Sequence, residues 1–111
     1  MILSIIDSVL VEAVAKFVAT EATTDAVILD ELSGRAEASL AHLWQLLYKQ
    51  GNGESGPLLV NGYANIFYLR GTDGALWVAH PGWDDSGWAL SVAQMNDPIG
   101  WCEGYRVFAP A

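Results

Sequence analysis

Apolar residues recur at helical spacing from residue 3 to about residue 20, where Ile6, Val9, Leu10, Ala13, Val14 and Phe17 share one stripe and Glu12 and Lys16 lie outside it. The spacing predicts an amphipathic helix, with Ser4 and Asp7 supplying a cap and an acidic group near its start. A polar run from Thr20 to Asp25 closes it, and a short turn of helix over Ala26 to Leu32 follows. After the break at Ser33-Gly34, the steps between Ala36, Leu40, Leu43, Trp44 and Leu47 predict a second helix over about 35–50. Lys49 stands in its last turn, and Gly51 is placed for a left-handed cap.

Beyond the loop from Gly51 to Pro57 the period changes to two. Ala64 to Arg70 and Ala75 to His80 read as strands, joined through the hairpin signal Gly71-Thr72-Asp73-Gly74. Further strands are expected from Trp88 to about Met95, from Tyr105 to Ala109, and over Leu58 to Val60 as an extra edge. The expected architecture is α+β: two N-terminal helices packed on a C-terminal antiparallel β-meander of three to five strands. One domain is expected over 1–111, with a helical half at 1–50 and a β half at 57–111. Ile66 and Tyr68 alternate with Phe67 and Leu69, and Leu76, Val78 and His80 with Ala75, Trp77 and Ala79, so both faces of this sheet are apolar and both need cover. Two helices can cover one face, which leaves the other for a partner chain or a pocket. In the third strand the small residues Ala89, Ser91 and Ala93 form a face on which a helix backbone can approach closely.

Composition narrows the partners. Of 111 residues 13 are Asp or Glu and 5 are Lys or Arg, a net charge of -8, which excludes a nucleic-acid groove and an anionic membrane surface as partners. Hydrophobic residues make up 52% and charged residues 16%, more apolar surface than one small core can hide, so the chain is expected to be a homo-oligomer. Five Trp strengthen that expectation, because Trp gathers at interfaces and ligand sites. The lone Cys102 offers no disulfide, the start of the chain lacks a basic signal region, and no apolar run approaches a bilayer span, so a reducing cytoplasm is expected.

Candidate chemistry concentrates in the β half. Trp83-Asp84-Asp85-Ser86-Gly87-Trp88 sets two indoles around two carboxylates, a combination that holds a sugar or a cation; the plainer alternative is a strand connection whose Asp residues make turns. His80 ends a strand with Asp84, Asp85 and Glu103 as candidate neighbours, yet no paired His or Cys accompanies it, and no metal or other cofactor is expected. Cys102 has Glu103 beside it, which disfavours a thiolate nucleophile. The ligand-binding or interface residues expected on these grounds are Tyr68, Trp77, His80, Trp83, Asp84, Trp88, Trp101 and Tyr105, and no catalytic residue is assigned.

Asn65-Ile66-Phe67-Tyr68-Leu69-Arg70, Asp73-Gly74-Ala75-Leu76-Trp77, Asp97-Pro98 with Trp101, and Gly104-Tyr105-Arg106-Val107-Phe108 together form a pattern over residues 62–109. It resembles small uncharacterised bacterial proteins, including ones carried on mobile integron gene cassettes. The resemblance implies an adaptive accessory protein, often oligomeric, with a small-molecule pocket, and carries no established activity. The leading expectation is therefore a non-enzymatic homo-oligomeric binding module. The alternatives are an acidic protein neutralising a basic partner, as an antitoxin or immunity protein does, and a small hydrolase or isomerase using His80 with Asp84 or Glu103.

Overall fold

The computed structural model describes residues 2–9, 14–95 and 100–110. In chain order they form β1 (Leu3–Val9), β2 (Val14–Ala19), β3 (Thr23–Thr24), α1 (Asp25–Glu31), β4 (Glu37–Ala38), α2 (Leu40–Lys49), β5 (Asn65–Arg70), β6 (Leu76–Asp84), β7 (Gly87–Gln94), β8 (Gly100–Trp101) and β9 (Arg106–Pro110). The main sheet has the order β1-β2-β9-β5-β6-β7, with β9 parallel to β5 and the other pairs on this path antiparallel. β4 pairs in parallel with the far end of β5, extending the line that β9 begins. A separate two-stranded ladder joins β3 to β8.

The α+β composition stands, but the arrangement differs from two N-terminal helices on a C-terminal meander. Residues 3–19 are the strands β1 and β2, paired antiparallel from Leu3↔Ala19 to Val9↔Val14. Ile2, Ile5, Ile6, Val9, Val14 and Val18 explain the outcome, because branching at Cβ restricts rotamers in a helix and packs well on a pleated surface. So dense an apolar run satisfies a helical stripe by number alone, and pairing of Phe17 with Val107 in β9 decides for a strand. Leu10, Glu12 and Ala13 of the expected helix, and Asp97-Pro98, lie outside the described residues.

The C-terminal strands are not a meander either. β9 inserts between β2 and β5, so the last strand joins the two ends of the chain in one sheet. β6 runs unbroken through Pro81-Gly82 to Asp84, where a break was expected, and the buried amide of Asn65 donates to the Pro81 carbonyl at 3.2 Å. Leu58 to Val60 form no strand.

Each helix covers a different face. α1 lays Ile28, with Leu32 just beyond it, on Ile66, Tyr68, Val78 and Val107. α2 lays Leu43, Leu46 and Leu47 on Phe67, Ala79 and Phe108. Both apolar faces are thus covered largely within the chain, by one helix each. The rings of Phe67 and Phe108, on adjacent parallel strands, stack 4.8 Å apart and 2° from parallel.

Local chemistry sets the helix ends. Thr24 Oγ1 accepts from the Val27 N–H at 3.4 Å, and Ser39 Oγ from the His42 N–H at 3.1 Å, each capping a helix start. The Glu31 carboxylate closes α1 by accepting from the backbone N–H groups of Ile2 and Leu3 at 2.8 and 3.0 Å, tying the helix to the start of β1. α2 begins later than expected because Glu37–Ala38 is drawn into the sheet as β4. Gly53, not Gly51, takes the left-handed conformation after it, at φ +74°. The buried Gln50 side chain then donates to the Leu58 carbonyl and accepts from the Leu58 N–H at 3.0 and 2.8 Å, holding the following loop against the core. No helix among the described residues is long and apolar enough to cross a membrane.

Candidate functional site

The α1 face of β6 and β7 runs past the end of the helix and opens into a cleft of about 500 Å³. The pairing of β6 with β7 builds its floor: His80 lies opposite Ser91, Gly82 opposite Ala89, and Asp84 opposite Gly87. Because successive strand residues alternate faces, His80, Gly82 and Asp84 look to one side together with Ala89 and Ser91. The small face of β7, expected to seat a helix, is therefore exposed cleft floor at Ala89 and Ser91.

A row of rings forms the wall. Tyr63 and Tyr105 lie 5.4 Å apart, Tyr105 and Trp101 6.1 Å, and Trp101 and His80 5.1 Å with the planes near perpendicular. Gly104, at φ +91°, makes room for this row, since a Cβ there would lie 2.9 Å from Tyr63 Cε2. Trp83 borders the cleft, but its position between Gly82 and Asp84 sends its indole to the α2 side of the sheet, edge-on to Trp88 at 5.4 Å. Gly53 supports it from behind, where a Cβ would lie 2.3 Å from Trp83 Cζ2.

Asp25 holds the wall in place from beneath. It is the first residue of α1 and is buried, and its Oδ1 accepts from the Trp101 Nε1–H at 2.6 Å and from the Tyr68 hydroxyl at 2.7 Å. The β3–β8 ladder, pairing Thr23 with Trp101, delivers the indole to that position. Burial, reinforced by the hydrogen bond to Asp25 and its charge, holds the Tyr68 phenol protonated far above its usual range. The second oxygen, Oδ2, is buried and has no hydrogen-bond partner among the described residues.

Asp84 and His80 in the cleft are tuned differently. Hydrogen bonds from the Ser86 hydroxyl and N–H, at 2.6 and 2.7 Å, hold the exposed Asp84 carboxyl below the usual carboxylate range, so it is ionised at neutral pH. Burial pushes the His80 imidazole below its ordinary value, and the charge of Asp25 offsets only part of that. An imidazole that resists protonation when folded makes the fold less stable in acid, because the unfolded chain takes up the proton more readily. The melting temperature is therefore expected to fall as pH drops below about 6.5, the unfolded imidazole value, until pH passes the folded value. Asp73 and Asp84, both lowered, titrate below that window. Melting curves between about pH 7.5 and 5 check this: His80→Gln flattens the slope, and an unchanged slope contradicts it.

Five of the eight residues expected from sequence meet in the cleft: His80, Trp83, Asp84, Trp101 and Tyr105. Tyr68 is wholly buried and reaches the cleft only through Asp25 and Trp101. Trp88 lies behind Trp83, its Nε1–H donating to the Gln50 carbonyl at the end of α2 at 2.7 Å. Trp77 is elsewhere, donating to Asp73 Oδ1 at 3.2 Å and lining a separate groove with Leu69 and Val92. Of the carboxylates considered as neighbours of His80, Asp84 lines the cleft with it, while Asp85 and Glu103 do not. Cys102 is exposed and stands outside the lining. Asp25, Ser91 and Tyr63 were not anticipated. Asp25 follows Thr24 in a run that reads as cap chemistry, so its burial carried no sequence signal.

Among the described residues, no three His, Cys, Asp or Glu side chains gather closely enough to hold a metal ion. What the cleft offers is aromatic surface, one fixed negative charge, an imidazole and a serine, with no Lys or Arg among the described residues that line it. No family model, curated protein or solved structure matches the chain.

Proposed function

We propose that this chain is a non-enzymatic cytoplasmic accessory protein that binds a small neutral or cationic organic molecule, such as a sugar or an organic cation, in the His80–Trp101 cleft. The observation that carries the reading is the convergence of Trp101 and Tyr105 on a cleft that also presents ionised Asp84 and His80. Aromatic faces stack on the apolar face of a sugar ring or attract a cation, and a carboxylate accepts hydroxyl protons or supplies the counter-charge. The cleft volume falls within the range of small-ligand sites. A net charge of -8 and a lining free of Lys and Arg disfavour anions. Asp84 suits binding better than proton transfer, since its two hydrogen bonds from Ser86 fix it as an ionised acceptor.

Thermal shift with monosaccharides and with quaternary ammonium salts tests the reading. A ligand at ten times its Kd adds about 1.4 kcal/mol, which raises the melting temperature by about 5 °C. That rise is expected for at least one of the two classes and is expected to vanish in Tyr105→Ala. A flat response to both classes at millimolar concentration contradicts the proposal.

A further inference from the structure

Among the described residues the main sheet ends in two edges, β1 and β7. An edge strand presents unpaired backbone groups to any other strand, and proteins guard such edges with charges, prolines or bulges. β1 has a guard in a break of register between Ile5 and Asp7. β7, with the sequence Gly-Trp-Ala-Leu-Ser-Val-Ala-Gln, has no charge and no proline, and pairs with β6 without a break over its whole length. Leu90 and Val92 stand 45% and 57% exposed on its α2 side.

α2 packs on the inner strands β9, β5 and β6, and its two ends reach β7. Leu40, at its start, shares a groove with Val92, and the Gln50 carbonyl beyond its end accepts from Trp88. These two anchors run α2 antiparallel to β7, over the same span of about 15 Å. Leu40, Trp44 and Tyr48 recur every four residues along it and are 54%, 58% and 90% exposed. Leu90 and Val92 add to this exposed apolar surface, and a surface of this kind marks an interaction site.

Charge selects the occupant. The chain carries -8, yet β7 has no charged residue and α2 only Lys49, while Arg70 and Asp73 lie at the end of the groove that holds Leu40 and Val92. A basic partner is drawn to the acidic remainder, whereas a second copy meets an uncharged strand along β7.

We infer that β7 pairs antiparallel with β7 of a second copy, about a two-fold axis through Ser91, forming one continuous sheet flanked by the two α2 stripes. In that register each Leu90 lies opposite a Val92 of the other copy, giving two apolar cross-strand pairs beside α2. On the opposite face the two Ser91 residues meet on the axis. Ala89 and Ser91 line the cleft, so the two clefts sit side by side across the dimer. This inference does not rest on the ligand reading.

Light scattering after size exclusion, from about 1 to about 200 µM, tests it. The wild type is expected at twice 12.0 kDa at the upper concentrations. The double variant Leu90→Lys/Val92→Lys puts lysines opposite one another and is expected to raise the dimer Kd by about 100-fold or more, with an unchanged circular dichroism spectrum. A wild type that stays monomeric at the highest concentration assigns the surface to another occupant and overturns the inference, as does a folded double variant that remains dimeric. Amide exchange of the wild type needs no substitution: protection of the outward amides of β7 is expected to rise with concentration. Concentration-independent exchange there overturns the inference equally.

Discussion

Phe67→Ala is expected to remove about 4 kcal/mol of unfolding free energy, the largest loss of any single truncation in this fold. Phe67 is fully buried, stacks on Phe108 at 4.8 Å, and underlies Leu43, Leu46 and Leu47 of α2. Its removal opens a void on the one face where parallel pairing of β5 with β9 and docking of α2 depend on the same ring. Against a typical total of about 5–15 kcal/mol, that loss takes the chain close to the unfolding threshold. Urea unfolding followed by tryptophan fluorescence measures it, with the midpoint expected to fall and the slope to hold. A loss below about 1.5 kcal/mol would mean that the stacked pair is not central to the core.

Asp25→Ala is expected to cost about 3 kcal/mol, by a different mechanism. Its carboxylate is the shared acceptor for two buried donors, the Tyr68 hydroxyl and the Trp101 indole, and truncation leaves both without a partner. Each stranded donor costs about 1–3 kcal/mol. Asp25→Asn keeps an acceptor of the same shape and is expected to restore most of the loss, less the extra strength of a charged acceptor. The Asn variant restoring nothing would show that charge, not acceptor geometry, holds the two donors. Because Trp101 is a wall of the cleft, Asp25→Ala should also loosen the ligand site, and Phe67→Ala, on the opposite face, should not do so directly.

These two residues mark how far the sequence could be read. Phe67 belongs to the part that was legible: the alternation of β5 and β6 exposes two apolar faces, and Gly71 to Gly74 forms the expected turn, with Gly74 at φ +80° and Asp73 accepting from Ala75. α2 was likewise visible from its Leu spacing, though its start at the Ser39 cap was not. β1 and β2 were not, because a run this rich in Ile and Val matches helical and extended periods alike and only the long-range partner β9 separates them. The place of β9 itself, parallel to β5 across an interval of some forty residues, depends on topology that no local pattern encodes. The tryptophans were legible as a group, but their division was not: β6 continues through Pro81, so the Trp83 indole joins Trp88 on the α2 side, Trp101 lines the cleft and Trp77 faces another groove. Asp25 was invisible for the opposite reason, since an acid in the first turn of a helix is ordinarily solvated.

Splitting the tryptophans between cleft and other surfaces supplies the most direct test of the ligand site. The five indole N–H signals report five places in the fold at once, and a titration with tetramethylammonium and with methyl glucoside can be followed at all of them by proton–nitrogen correlation spectra. Saturable shifts are expected at Trp101 with one of these probes, while Trp44 and Trp77 stay fixed. An unmoved Trp101 with both probes, or shifts confined to Trp44 and Trp77, would contradict the ligand site.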